Sequence, residues 1–209
     1  MKKVIFDLDG TLLFNTFIVE KKYFESTLPK DVYINLKENI YNYLNIYEIN
    51  NIRYDVGDLK RFLSNMIGFN FTDDFMQGWI EVGSYTDDTF DLGLIETLED
   101  LKRRDIKLAV LTNWFRKPQE DRLKNSNIYG YFDEIHTGEE FLKPHKEAYI
   151  NALGDTRKCD CLFVGDHLEK DYIGPKAVGI NSVLYDKDDI YHESIVKIKK
   201  MSELKRRVK

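Results

Sequence analysis

Two carboxylates interrupt what reads as the end of a buried strand. In VIFDLDGTLL, residues 4–13, Val4, Ile5 and Phe6 have the character of a short buried strand, and Leu8, Leu12 and Leu13 extend it. Asp7 and Asp9 nevertheless break the run two residues apart, immediately before Gly10 and Thr11. A buried carboxylate without a partner is costly or takes up a proton, so a pair retained there implies a cation or a reaction that uses them. Other groups with chemistry in them follow at wide intervals: Thr112-Asn113, Lys143 before Pro144, and Gly165-Asp166. If these converge, three carboxylates, an ammonium, a hydroxyl and a glycine turn face one pocket. Hard oxygen ligands of this kind suit Mg²⁺, and the cations would let a carboxylate approach a phosphorus centre. One acid could then attack as a nucleophile while the other protonates the leaving group and later deprotonates water. Taken singly, each residue has a plainer reading. Asp-Gly is a common turn, a lone lysine is usually a surface residue, Thr112 is an ordinary β-branched strand residue, and an acid at Asp171 suits the first turn of a helix.

Convergence depends on the elements that carry these groups. Strand-like runs recur at 4–6, 107–113 (KLAVLTN), 133–137 (DEIHT), 161–166 (CLFVGD) and 180–186 (INSVLYD). The second and fourth are nearly continuous apolar runs, as in strands buried on both faces of a parallel sheet. Helical patterns alternate with them. Leu94, Ile95, Leu98 and Leu101 form one stripe, Pro118 stands in the first turn of a second helix, Pro144 opens a third that Gly154 stops, and Gly174-Pro175 marks a late start or a break in a fourth. This rhythm predicts an α/β fold with a doubly wound, Rossmann-like parallel sheet. In such sheets ligands bind beyond the carboxyl ends of the strands, where all the candidate residues fall. Residues 15–90 break the alternation, with helix-like pieces near 17–27, 31–47, 58–68 and 72–83, and read as a helical insertion after the first strand. The expected division is therefore a core domain of 1–14 and 91–209 and an inserted domain of 15–90. The Tyr- and Phe-rich stripe of the insertion is expected to form its own core.

Composition narrows the classes. The 209 residues are 43% hydrophobic and 32% charged, enough for a substantial core, and the net charge of −5 leaves no nucleic-acid footprint. The last thirteen residues hold seven bases and one acid and are expected to form a solvated terminal helix face rather than a membrane or RNA contact. Asp7 and Asp9 spoil any secretory h-region, and no stretch nears the ~18 apolar residues of a membrane span. Cys159 and Cys161, a lone C-x-C pair, make neither a disulfide framework nor a zinc site. A cytoplasmic protein is expected. Oligomeric state is not legible.

The motifs DLDGT, LTN, KP and GDHLEKD, in this order and spacing, resemble the four motifs of the haloacid dehalogenase-like hydrolases. The similarity extends through FDEIHTGEEFLKPHKEAYINAL and VGDHLEKDYIGPKAVGINSVLYD. The resemblance implies Asp7 as nucleophile, and Asp9 as general acid/base with its backbone carbonyl on Mg²⁺. It implies Asp166 as a further metal ligand, and Thr112, the backbone around Asn113, and Lys143 as the phosphate-binding groups. Asp171 matches the last acid of the fourth motif, either a ligand through water or the group that orients Lys143. An acid at Asp9 favours phosphoester hydrolysis or phosphomutation over dehalogenase and phosphonatase chemistry. The insertion lies where the family places a helical, C1-type cap, a lid that closes on substrate and selects the leaving group.

Three positions depart from the family pattern. Trp114 follows Thr112-Asn113 where a small residue is usual, and a large ring there either narrows the pocket or packs under the insertion. His167 replaces a small hydroxyl residue, as a substrate contact, a neighbour that tunes Asp166, or a structural histidine. Asn15 stands in for an acid as a hinge residue. The expected function is a Mg²⁺-dependent phosphatase acting on a small phosphorylated metabolite through an aspartyl-phosphate intermediate. The alternatives are a sugar-phosphate phosphomutase and a non-catalytic regulatory protein that keeps the fold.

Overall fold

The computed structural model describes residues 1–15 and 17–208. Its sheet has six parallel strands: β1 (Lys3–Phe6), β2 (Lys107–Leu111), β3 (Glu134–His136), β4 (Cys161–Gly165), β5 (Asn181–Tyr185) and β6 (Lys197–Ile198), in the spatial order β3-β2-β1-β4-β5-β6. The chain leaves β1 at the centre and winds first one way and then the other, which makes the β1 end the switch point of the sheet. Helices α5 (Leu94–Arg103), α6 (Arg116–Asn125), α7 (Lys146–Leu153), α8 (Gly174–Ala177) and α9 (Leu204–Arg207) complete this half, which is the doubly wound α/β fold that the strand–helix alternation predicts.

Strand alternation divides the core in two. Val4, Phe6, Leu108 and Val110 enter one apolar cluster with Leu94, Leu98 and Leu101 of α5. Ile5, Ala109, Leu111 and Phe163 enter the other, against Ala148, Tyr149 and Ala152 of α7. Both faces of β1 are covered, and this explains its unbroken apolar run. Register then sets the site. Phe6 is level with Val110 and with Val164, and the Asp7 amide donates to the Val164 carbonyl at 2.8 Å. The residues just past these strand ends, Asp7, Thr112 and Asp166, therefore emerge side by side.

Between β1 and α5 lie α1 (Ile18–Thr27), α2 (Lys30–Asn50), α3 (Val56–Ile67) and α4 (Asp73–Val82), each within three residues of the bounds read from the sequence. Their starts and stops have local causes. The Asp55 carboxylate accepts the Asp58 amide, Gly68 ends α3 at φ 75°, and the Thr72 hydroxyl accepts the Phe75 amide. The aromatic stripe packs mainly on itself, with Tyr47 stacked on Tyr54 (5.3 Å, 6°) and Phe24, Phe75 and Trp79 in one cluster. Phe115 and Leu142 of the sheet half join that cluster. The two passages between the halves pair with each other: the Phe14 amide donates to Thr89 at 2.7 Å and the Thr89 amide returns a bond at 3.0 Å.

Two expectations change. The basic tail is not a solvated helix. Lys197–Ile198 add β6 to the sheet edge, a 3-10 turn at Met201–Glu203 leads into the short helix Leu204–Arg207, and Ile198, Met201, Leu204 and Val208 are buried in the main core. The tail's bases hide an apolar set whose spacing changes from strand to helix within a few residues, too short a run for periodicity to register. Pro144 lies in the turn before α7, which starts at Lys146. At Gly174-Pro175 the expected break is present, where a π-helical turn (Leu168–Ile173) gives way to α8. No described helix is long and apolar enough to cross a membrane.

Candidate active site

Asp7 sits one residue beyond β1, almost wholly buried. The Lys143 ammonium donates to its Oδ1 at 2.6 Å and to Asp171 Oδ1 at 2.7 Å. Lys143 is itself buried and held from behind. The Asn113 amide bonds both ways with its backbone, accepting from the Lys143 N–H and donating to its carbonyl, each at 2.8 Å. Asn113 thus connects the end of β2 to the lysine, and its side chain is occupied in doing so. Asp171, on the π-helical turn, is fixed by the His167 amide at 3.0 Å. Asp166 accepts from the Thr11 hydroxyl at 3.3 Å.

Two glycines allow this crowding. A Cβ on Gly10, whose φ is +81°, would lie 2.3 Å from Asp166 Oδ2, and one on Gly165 would lie 2.4 Å from the Asp171 Cβ. A side chain at either position would displace a carboxylate. Oxygens of Asp7, Asp166 and Asp171 all lie within 4.8 Å of one another. An all-carboxylate donor set at this spacing fits a hard divalent cation rather than a soft one.

The electrostatics agree with that fit. Burial, followed by the Asp171 and Asp166 charges, pushes the Asp7 carboxyl well above the usual carboxylate range, although Lys143 opposes it. Burial and Asp171 raise Asp166 to about 6. For Lys143, burial acts to lower the ammonium pKa, but Asp171 and Asp7 outweigh it and the result is raised. Three acids around one lysine leave excess negative charge that a bound cation would balance.

Asp9 faces a different set. Arg122 Nη1 donates to its Oδ1 at 2.6 Å and Gln119 Nε2 to its Oδ2 at 2.9 Å. The same Gln119 Nε2 lies 2.9 Å from the Thr112 hydroxyl. Neither α6 residue was singled out from the sequence. Their only signal is a polar pair three apart, which on a helix is one face, and it is lost among the charges of KPQEDRLKN. The Asp88 partner of Arg122 and the Glu48–Lys170 ion pair at 2.5 Å, which joins α2 to the π-helical turn, were equally invisible.

All seven sequence-derived residues, Asp7, Asp9, Thr112, Asn113, Lys143, Asp166 and Asp171, line one cavity of ≈480 Å³. Phe17, Tyr41, Trp79 and Trp114 also line it, together with charged Glu20, Lys37 and Glu48. Trp114 both borders the cavity and packs against Trp79 (5.1 Å) and Tyr54 (5.3 Å). His167 also borders it, and its Nδ1 accepts the Lys170 amide at 3.3 Å. Asn15 Oδ1 accepts the Phe17 amide at 2.6 Å, which holds the first passage out of the sheet half.

The family model for haloacid dehalogenase-like hydrolases matches residues 4–185. The chain belongs to that family. Among solved structures, this hydrolase is similar to the HAD-hydrolase YfnB of Bacillus subtilis bound to magnesium, at 20% identity and TM-score 0.72 over 99% of this chain and 98% of that one. It is similar to L-2-haloacid dehalogenase of Xanthobacter autotrophicus at 15% identity and TM-score 0.72, over 100% and 98%. At these identities the likeness is one of fold. Among curated relatives, it is 35% identical over 95 residues to ribulose-1,5-bisphosphate 5-phosphatase of Halopiger xanaduensis (44% of this chain, 40% of that one). It is 33% identical over 94 residues to glyceraldehyde 3-phosphate phosphatase of Methanocaldococcus jannaschii (43% and 41%). The aligned part spans about two fifths of these relatives' length.

Proposed function

We propose that this hydrolase is a Mg²⁺-dependent phosphatase of a small phosphorylated metabolite. The observation that carries the reading is the Lys143 ammonium bonded to both Asp7 and Asp171, with Asp166 alongside. A nucleophilic carboxylate is useful only if ionised, and burial works against that at Asp7. Lys143 offsets part of the cost and is well located to draw in a phosphate dianion. Mg²⁺, held by Asp7, Asp166 and the Asp9 backbone carbonyl with Asp171 beside them, would supply the remaining positive charge and polarise the phosphoryl oxygens.

In the first step Asp7 attacks phosphorus, forming an O–P bond as the ester O–P bond breaks, and Asp9 gives a proton to the departing oxygen. In the second, Asp9 takes a proton from water, the water oxygen bonds to phosphorus, and the Asp7–phosphorus bond breaks to release inorganic phosphate. Thr112 and Lys143 hold the phosphoryl oxygens meanwhile. Helices α1–α4, as a cap over residues 15–90, would exclude water and present Phe17, Tyr41 and Trp79 to the leaving group, with Trp114 of the sheet half beside them. Both curated relatives are named as phosphatases of small phosphorylated sugars, which supports the substrate class.

The test is phosphate release from p-nitrophenyl phosphate and a panel of metabolite phosphates, with and without Mg²⁺, beside the Asp7→Asn protein. Metal-dependent release that Asp7→Asn abolishes supports the reading. Absence of release across the panel overturns it. Isotopic label that stays in a sugar phosphate instead of reaching solvent would turn it into phosphomutation.

A further inference from the structure

Asp9 is held by more than its own backbone. Arg122 and Gln119, three residues apart on α6, each give one donor to one oxygen of its carboxylate. Arg122 Nη1 also donates to Gln119 Oε1 at 2.8 Å, which orients the amide so that its NH₂ faces both Asp9 and Thr112. The rest of the guanidinium is committed elsewhere. Its Nε and Nη2 grip the two oxygens of Asp88 at 2.9 and 2.8 Å, and both side chains are nearly inaccessible to water. Asp88 belongs to the second passage between the halves, one residue from Thr89, which pairs with Phe14 on the first passage.

Charge and geometry divide along the guanidinium plane. The fork toward Asp88 is bidentate, the strongest arrangement for arginine and carboxylate. That pairing balances the cation and leaves Nη1 as an aimed donor for Asp9. A lysine ammonium could not split its contacts this way, since it lacks the planar five-donor fork. Asp9 is one of the two groups that must be aligned to within a fraction of an ångström for proton transfer. Of Asp7, Asp9, Asp166 and Asp171, it is the one joined through described hydrogen bonds, by way of Arg122, to the segment through which helices α1–α4 rejoin the sheet.

We propose that Gln119, Arg122 and Asp88 form a positioning relay that aligns Asp9 for proton transfer and ties that alignment to the 86–91 passage. The relay acts through Asp9; Gln119 and Arg122 border the cavity, and Asp88 does not line it. It rests on the phosphatase reading above.

The relay makes a leaving-group prediction that a merely structural network does not. Departure of p-nitrophenolate needs no proton, whereas departure of an alkoxide does. The ratio kcat/KM reports steps only through ester cleavage, so the two substrates separate the effect. In Arg122→Lys and Asp88→Asn, kcat/KM for the alkyl phosphate best turned over in the panel is expected to fall about 100-fold. For p-nitrophenyl phosphate it is expected to fall no more than about 3-fold, while kcat falls for both, because Asp9 must still activate water. Equal falls in kcat/KM for the two substrates, or no fall, overturn the relay.

A second measurement needs no catalysis. Denaturant unfolding of Asp9→Asn and Asp88→Asn, singly and together, is expected to show coupling of at least about five-fold in the unfolding constant, although the two side chains meet only through Arg122. Additive effects overturn the relay. Asp88→Asn lies outside the cavity lining and keeps the kinetic test available if an Arg122 variant fails to fold. A wild-type protein that released no phosphate would count against the phosphatase reading, and the unfolding cycle would still decide the relay.

Discussion

Two buried cations flank the end of β1, each shared between two carboxylates, and they differ in almost everything else. Lys143 bonds Asp7 and Asp171, all within the sheet half. Arg122 bonds Asp9 and Asp88, and through Asp88 reaches the passage toward α1–α4. The lysine is a compact point charge with rotating donors, suited to a phosphate whose oxygens change places during a reaction. The arginine is a rigid fork that holds two partners in fixed directions. On the phosphatase reading proposed above, the side that would meet phosphate is built from charge, and the side that would meet the leaving group from direction.

The largest break in that comparison is at the nucleophile. Asp7→Asn should lower phosphate release by at least about four orders of magnitude. Its melting temperature should stay close to that of the wild type, because Lys143 retains Asp171 as a partner. A variant with more than a few per cent of wild-type turnover would remove Asp7 from the role.

Removing the lysine should be the largest effect on stability. Lys143→Gln leaves Asp7 and Asp171 facing each other in a buried site, and breaking a buried pair in this way costs about 3–5 kcal/mol. The sign with pH follows from the acids left behind. Asp7 already titrates above the usual carboxylate range and would lose the lysine that opposes that rise, so the stability it allows is present below the unfolded carboxylate range and lost as pH rises through the folded one. Urea unfolding should therefore show a deficit that is widest at neutral pH and narrows toward pH 4. A deficit independent of pH would mean that packing, not charge, is what Lys143 supplies.

Asp166 sharpens the same comparison from the cation side. Its carboxyl is raised to about 6 with no cation bound, so in metal-free protein the stability tied to its protonated form is present below about pH 4 and lost by about pH 6. Asp166→Asn should raise metal-free stability at pH 7 by about 1–3 kcal/mol and abolish any Mg²⁺-induced rise in Tm. An undiminished Mg²⁺ shift in the variant would take Asp166 out of the cation site.

The smallest expected effect is on the arginine side. Arg122→Lys keeps the charge and loses the fork, which should cost about 1–2 kcal/mol in urea unfolding. A larger loss than that of Lys143→Gln would reverse the comparison.

The two networks were not equally legible in the sequence. Asp7, Asp9, Thr112, Lys143 and Asp166 could be read as a group because polar and charged residues stand out at the ends of apolar strand runs, and a parallel sheet delivers those ends to one edge whatever lies between them. Asp171 was readable only as an alternative, and it is found against Lys143. Gln119, Arg122 and Asp88 were not readable. On paper Arg122 belongs to an ordinary charged helix, and burial that only packing creates turns it into a paired cation. The C-terminal tail failed for a related reason: its lysines and arginines dominate the composition, while Ile198, Met201, Leu204 and Val208 face the core.

The sequence by itself determined a doubly wound sheet with chemistry at its carboxyl edge, because strand periodicity and the placement of acids are local properties of the chain. Tertiary structure alone decided which cation serves which carboxylate, which aromatic rings border the site, and that Asp9 is tied to a segment about eighty residues away. Contacts of that kind depend on register and on helix orientation against the sheet, and neither is encoded in any single stretch of the chain.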